Sequence, residues 1–191
     1  MIYIKRKITW GNILVAIDQN IHIAGLWFEG QKYFPNIPKD ACFIETLSEE
    51  ELETILLNKT NLKDIYKLIN NFDQQIREYE AGNRQSFELP LSPEGSEFRQ
   101  RVWKMLLEIP LGETTTYGTI GRKIAKELGK KIMSAQTIGG AVGHNPISLI
   151  IPCHRVVGVK GQLTGYAGGV DKKTAILRHE GIKIKNSFVF E

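Results

Sequence analysis

Apolar residues alternate in short β-branched runs from Met1 to about Phe34: Ile2, Ile4 and Ile8, then Ile13, Val15 and Ile17, then Ile21 and Ile23, with Asp18-Gln19-Asn20 between the last two runs. A period of two turns alternate side chains toward a core, so this stretch predicts a small antiparallel sheet. The period then changes. Ser48 and Glu51 stand in capping-box order, and Leu62, Ile65, Ile69, Phe72 and Ile76 recur at helical spacing up to Ala81-Gly82-Asn83, which predicts a helix and its end. The stretch to Pro90, with Ser92-Pro93 and Gly95 beyond it, reads as a linker and divides the chain into 1–88 and 89–191.

Past the linker, Phe98, Val102, Leu106 and Ile109 mark one helix face, stopped by Pro110 and Gly112. Thr116 is placed to cap a helix carrying Ile120, Ile124 and Leu128, which Gly129 ends, and Ser134 to cap a short second helix ending at Asn145-Pro146. Two short capped helices in succession predict a helix-turn-helix. Ile147 to Pro152 reads as a buried strand that delivers Cys153 at its end. The second helix holds Gly139, Gly140 and Gly143, each costing about 1 kcal/mol against Ala in a helix interior. Small residues there let a backbone come close either to a packed neighbour or to the wall of a groove, and composition does not choose between them.

Composition adds less than its distribution does. At 191 residues, 42% hydrophobic and 24% charged, the chain can build one large core or two small ones. The net charge of +4 hides a split: residues 1–88 carry net −3 and residues 89–191 net +7. The second half is where an anionic partner is expected to dock. The chain opens Met1-Ile-Tyr-Ile-Lys-Arg without an apolar leader, and runs such as Leu149-Ile150-Ile151 are too short to span a bilayer. A cytoplasmic protein with reduced Cys42 and Cys153, and no membrane contact, is therefore expected.

Candidate chemistry gathers at Cys153-His154-Arg155-Val156-Val157. A thiol needs a cationic or hydrogen-bonding neighbour to be a nucleophile at neutral pH, and His154 can supply one, although a single buried Cys is also an ordinary core residue. On extended backbone the two side chains point to opposite faces, so a water between them is required. Glu180, after the helix Asp171–His179 and before Gly181, is a candidate to orient the imidazole, or else a solvated helix-end charge. Cys42 keeps the core reading. The glycine-rich run from Gly158 to Gly169 lacks a phosphate-binding fingerprint and reads as a binding loop. Four scattered histidines offer no metal site, and no cofactor is expected.

With Asn145-Pro146 and Ile151-Pro152-Cys153-His154-Arg155-Val156-Val157-Gly158, the sequence resembles the O6-alkylguanine-DNA alkyltransferase family, the methylated-DNA–protein-cysteine methyltransferases. The resemblance extends through Tyr117, Ser134–His144, Gly165-Tyr166-Ala167-Gly168 and His179-Glu180-Gly181. It implies an α+β fold: an amino-terminal, ribonuclease H-like sheet-plus-helix domain with a bracing role, then a mainly helical domain with a winged helix-turn-helix. It also implies irreversible, once-only transfer of an alkyl group from O6 of guanine in double-stranded DNA to Cys153, by a monomer. The residues leave open alkyl size and O4-alkylthymine as a further substrate.

The same resemblance implies a relay of Cys153, a water, His154 and Glu180. Tyr117 would help guanine leave, Asn145 would tie the second helix to the reactive segment, and Val156, Tyr166, Ala167 and Gly168 would form the base pocket. Ser134, Ala135, Gln136, Thr137, Gly139 and Gly140 would meet the minor groove, with Arg122, Lys123, Lys130 and Lys131 on phosphates. Gln136 departs from the arginine common at that position, and the turn Gly129–Met133 is longer than usual. Two other readings compete: a protein that recognises alkylated bases without repairing them, and a thiol hydrolase.

Overall fold

The computed structural model describes residues 1–44 and 62–190, so the Ser48–Glu51 capping box lies outside the described residues. Strands β1 (Ile2–Ile8), β2 (Gly11–Ile17) and β3 (Ile23–Phe28) form the predicted antiparallel meander, with Ile4 opposite Val15 and Val15 opposite Leu26. A short β4 (Cys42–Phe43) adds to β1 in parallel, giving the order β3-β2-β1-β4, so the sheet is mixed rather than wholly antiparallel. The alternation sorts Ile2, Ile4, Ile13, Val15, Ile17, Leu26 and Phe28 into the main core. Tyr3, Leu14 and Ala16 go to the opposite face, beneath Trp27, Ile37, Ala41 and Phe43. Gly25 is required there, since a Cβ would lie 1.8 Å from the Trp27 ring. Ile21 is not in a strand. It sits at φ +61° in the turn, where Asp18 Oδ1 accepts from the amides of Asn20 and His22 at 2.8 and 2.9 Å.

Helix α1 (Leu62–Glu80) lays Ile65, Leu68, Ile69, Phe72, Ile76 and Tyr79 against the sheet, and Gly82 at φ +75° closes it. The linker is not free chain. Ile23 N donates to Pro90 O at 2.8 Å and Ser92 N to Ile23 O at 2.9 Å, so the outer edge of β3 holds it. Further along that edge, Leu26 N donates to Pro146 O and Ser148 N to Leu26 O, both at 2.8 Å. The sheet thus grips the segment that leads to Cys153, and one continuous core runs from Ile4 and Phe72 through Leu106 and Ile151 to Cys153 and Ile176.

Helices α2 (Glu97–Leu107), α3 (Tyr117–Glu127), α4 (Ala135–Gly143) and α5 (Val170–His179) follow. Thr116 Oγ1 accepts from Thr119 N and Ser134 Oγ from Thr137 N, each at 3.1 Å, the caps that the sequence predicts. Ile109 lies past the end of α2 but is still buried. The close approach between α3 and the turn before α4 falls at Gly121, where a Cβ would meet the Met133 carbonyl at 2.9 Å. The small strands β5 (Thr115–Thr116) and β6 (Val156–Val157) pair in parallel, and β7 (Ile184–Lys185) with β8 (Phe188–Val189) in antiparallel. The architecture is mixed α+β, and no described helix is long and apolar enough to cross a membrane.

Candidate active site

Cys153 does not stand at the end of a strand. Ile147 makes a single bridge to Leu26, after which the chain turns, with Ile150 N donating to Ser148 O, Ile151 N to Ile147 O, and Leu149 at φ +70°. Residues Cys153–Arg155 form a 3-10 turn that enters β6. An apolar run of this length signals burial, and burial is shared by strands and packed turns, so periodicity could not separate them. Cys153 and His154 lie on this turn rather than on extended backbone, so alternation does not set their side chains on opposite faces.

Asn145, at the end of α4, is the clamp. Its Nδ2 donates to Ile151 O at 2.8 Å and Cys153 Sγ at 3.1 Å, and also lies 3.2 Å from Ile147 O, while Oδ1 accepts from Ile147 N at 3.0 Å. An amide N–H aimed at sulfur favours the thiolate. Burial pushes the Cys153 thiol up nonetheless, against the Asn145 bond and the charge of Lys173. Burial thus works against the thiolate that the Asn145 amide favours.

His154 is fully buried, and burial pushes its imidazole down, against the pull of Glu180. A neutral ring donates from Nε2 to Glu180 Oε1 at 3.0 Å. That tautomer leaves Nδ1 as an acceptor, and Nδ1 is buried with no hydrogen-bond partner among the described residues. Glu180, just beyond α5, is a buried carboxylate, not a solvated helix-end charge. Burial alone would raise it, but hydrogen bonds and charge from His154 and Arg155 hold its carboxyl down to about 2. Arg155 donates to it from Nε at 3.0 Å and Nη2 at 2.7 Å, and from Nη1 to Ile109 O at 2.6 Å.

The wall of the site is built from the glycine-rich loop. Tyr117 Oη donates to Thr164 O at 3.2 Å and Gly165 O at 3.1 Å, and burial with the neighbouring Cys153 pushes its phenol up to about 12. Tyr166 stands edge-on to the His154 ring, 6.4 Å between centroids, and its hydroxyl is buried. A Cβ on Gly168 would press on the Tyr166 and Phe28 rings, and the Ala167 carbonyl accepts from Lys32 N at 2.9 Å. Lys173, fully buried, donates from Nζ to Val156 O and Thr164 O, and burial lowers its ammonium to about 8. Val156, expected in the base pocket, thus has its carbonyl engaged by Lys173.

Sequence reasoning missed Arg155 and Lys173 in this site, and also Tyr79, whose Oη donates to Glu180 Oε1 at 2.6 Å. A lysine on the same helical stripe as the buried Ile176 and Leu177 was a legible anomaly, since lysine is almost never fully buried without partners. Among the other predicted residues, Ser134, Ala135, Gln136, Thr137 and Gly140 are exposed along α4, and Gly139 lies half-buried beside the Tyr117 ring. Arg122, Lys123, Lys130 and Lys131 are exposed, with Lys123 lining a groove that also holds Glu108 and Glu113. Cys42 is half-buried near β1, apart from this chemistry. No cluster of three or more His, Cys, Asp or Glu able to hold a metal occurs among the described residues.

A buried thiol, with an imidazole and a carboxylate behind it, stands beside a pair of short helices. The family profile described as "6-O-methylguanine DNA methyltransferase, DNA binding domain" matches residues 97–182. A methylated-DNA–protein-cysteine methyltransferase of Methanosarcina mazei is 42% identical over 123 residues, 64% of this chain and 73% of that one. One from Methanosarcina acetivorans is 48% identical over 108 residues, 56% of this chain and 66% of that one. The structure of Mycobacterium tuberculosis OGT in complex with DNA superimposes with a TM-score of 0.70 at 31% identity, covering 94% of this chain and 92% of that one. The chain belongs to the methylated-DNA–protein-cysteine methyltransferase family.

Proposed function

We propose that this protein repairs DNA by moving an alkyl group from O6 of guanine onto Cys153 Sγ, once per molecule. The observation that carries this reading is the pairing of a thiol, held by Asn145, with an imidazole whose Nε2 is committed to Glu180 and whose Nδ1 is left to accept a proton. A water bridges Sγ and Nδ1 and passes the thiol proton to His154. The thiolate attacks the alkyl carbon, the carbon–oxygen bond breaks, and its electron pair goes to the base. Guanine leaves poorly as an anion, so Tyr117 donates where that charge grows, and the departing base takes up one proton in place of the one the thiol lost. A thioether has no second nucleophile arranged against it, so Cys153 is not regenerated.

Residues 1–88 form the ribonuclease H-like half and residues 89–191 the alkyltransferase half, with α3 and α4 as the core of a winged helix-turn-helix. The exposed face of α4 lies in the minor groove, and the alkylated nucleotide turns out of the stack into the pocket of Val156, Tyr166, Ala167 and Gly168. Gln136 takes the space that the base vacates, hydrogen-bonding without charge. Ser134, Ala135 and Thr137 lie alongside it, and Arg122, Lys123, Lys130 and Lys131 contact phosphates. The protein acts as a monomer in the reducing cytoplasm, where its free cysteines remain thiols. With alkylated DNA in excess, guanine formation should stop at one equivalent of protein; continued turnover would overturn this reading.

The glycines of α4 provide a second check. Among the described residues nothing lies within 4 Å of a Cβ built on Gly140, which is exposed, so packing within them does not demand glycine there. Gly140→Ala should stabilise the free protein by about 1 kcal/mol and raise its melting temperature by about 2–4 °C. The same methyl would stand off the groove wall, so affinity for duplex DNA should fall several-fold. A gain in stability with unchanged DNA affinity would remove α4 from the interface.

A further inference from the structure

The Glu180 carboxylate is held from both halves of the chain. His154 and Arg155 reach it from the 3-10 turn, and a further donor arrives from α1: Tyr79 Oη donates to Glu180 Oε1 at 2.6 Å across 101 residues of sequence. Tyr79 is 1% exposed. Its ring packs against Trp10, Phe87 and His179, with centroids 5.6, 5.2 and 5.3 Å away, and its carbonyl accepts from His179 Nε2 at 2.7 Å. Ring and backbone are both tied to the end of the helix that carries Glu180.

We propose that Tyr79 is a positioning residue for the transfer reaction: by sharing Glu180 Oε1 with His154, it sets how strongly Glu180 draws on the His154 Nε2–H and hence the basicity of His154 Nδ1. The proposal rests on the reading that His154 takes the Cys153 proton. Oε1 accepts from three donors, His154 Nε2, Tyr79 Oη and Arg155 Nη2, while Oε2 accepts from Arg155 Nε. A carboxylate oxygen divides a fixed charge among its donors, so each donor weakens the claim of the others. Removing the phenol hydroxyl returns acceptor strength to the bond with His154, which favours imidazolium. The other ionisable groups facing this centre are Cys153, Lys173 and Tyr166, with His179 behind the Tyr79 ring. The amino-terminal half then takes part in tuning the proton acceptor, beyond supporting the fold.

The test is the pH profile of single-turnover methyl transfer from duplex DNA carrying O6-methylguanine, measured for the full-length wild type and Tyr79→Phe. The substitution keeps the ring and its packing against Trp10 and Phe87. The acid limb, where His154 is lost as a base, should move to higher pH by about half a unit in Tyr79→Phe, with DNA affinity unchanged. In a Glu180→Gln background the same substitution should leave the limb where it is. A Tyr79→Phe protein with a lower melting temperature but a superimposable profile would overturn the proposal and make Tyr79 a structural residue alone. A wild type that transfers no methyl at all would instead overturn the reading on which it rests.

Discussion

Arg155→Ala should lower the melting temperature by about 10 °C at neutral pH, and by much less below the ordinary carboxylate range. Arg155 supplies two charge-assisted bonds to a carboxylate whose side chain is wholly buried, and one to the buried Ile109 carbonyl. Removing one partner of a buried ion pair strands the other charge, at a cost of roughly 3–5 kcal/mol. The pH dependence follows from the Glu180 carboxyl, held down to about 2 in the folded protein. A depressed folded value contributes stability above the unfolded pKa and loses it as pH falls from there toward about 2. In the variant the carboxyl protonates more readily, so it neutralises in acid and the deficit against wild type shrinks. Parallel unfolding curves across that range, with a constant deficit, would show that Arg155 acts by packing alone.

Much of this architecture was legible because it rests on local rules. The period-two pattern of β1 to β3, the stripe of α1 and the caps at Thr116 and Ser134 each depend on neighbours within a few residues, and they appear where the pattern placed them except at Ile21, which the Asp18 turn takes out of the third strand. The segment before Cys153 failed for an equally physical reason. Its shape is set by Asn145, whose amide satisfies backbone and sulfur at once, and by the edge of β3, and an apolar run carries no record of either.

The site divides in the same way. Cys153, His154 and Glu180 were nameable from motif and resemblance, and the geometry brings Glu180 within 3.0 Å of His154. Arg155 stood in the same motif without an assigned role because its partner lies 25 residues away. Tyr79 falls on the α1 stripe and is read as another core aromatic until tertiary contact shows its hydroxyl on Glu180. The glycines of α4 show the limit from the other side. Composition could not choose between packing and a groove, whereas the open space around Gly140 removes packing as the reason for that residue.

Loss of the sulfur should have the largest effect of all. Cys153→Ala keeps the small buried volume and leaves Asn145 with its bonds to Ile147 and Ile151, so the fold and DNA binding should persist while transfer falls to nothing. The direct measurement is the intact mass of wild type and Cys153→Ala after incubation with duplex DNA carrying O6-methylguanine, followed by peptide mapping. The wild type should gain a single methyl, located on Cys153, and the variant none. A methyl on another residue, a gain that survives in Cys153→Ala, or repair of the base with the protein mass unchanged would contradict the assignment of Cys153 as the acceptor.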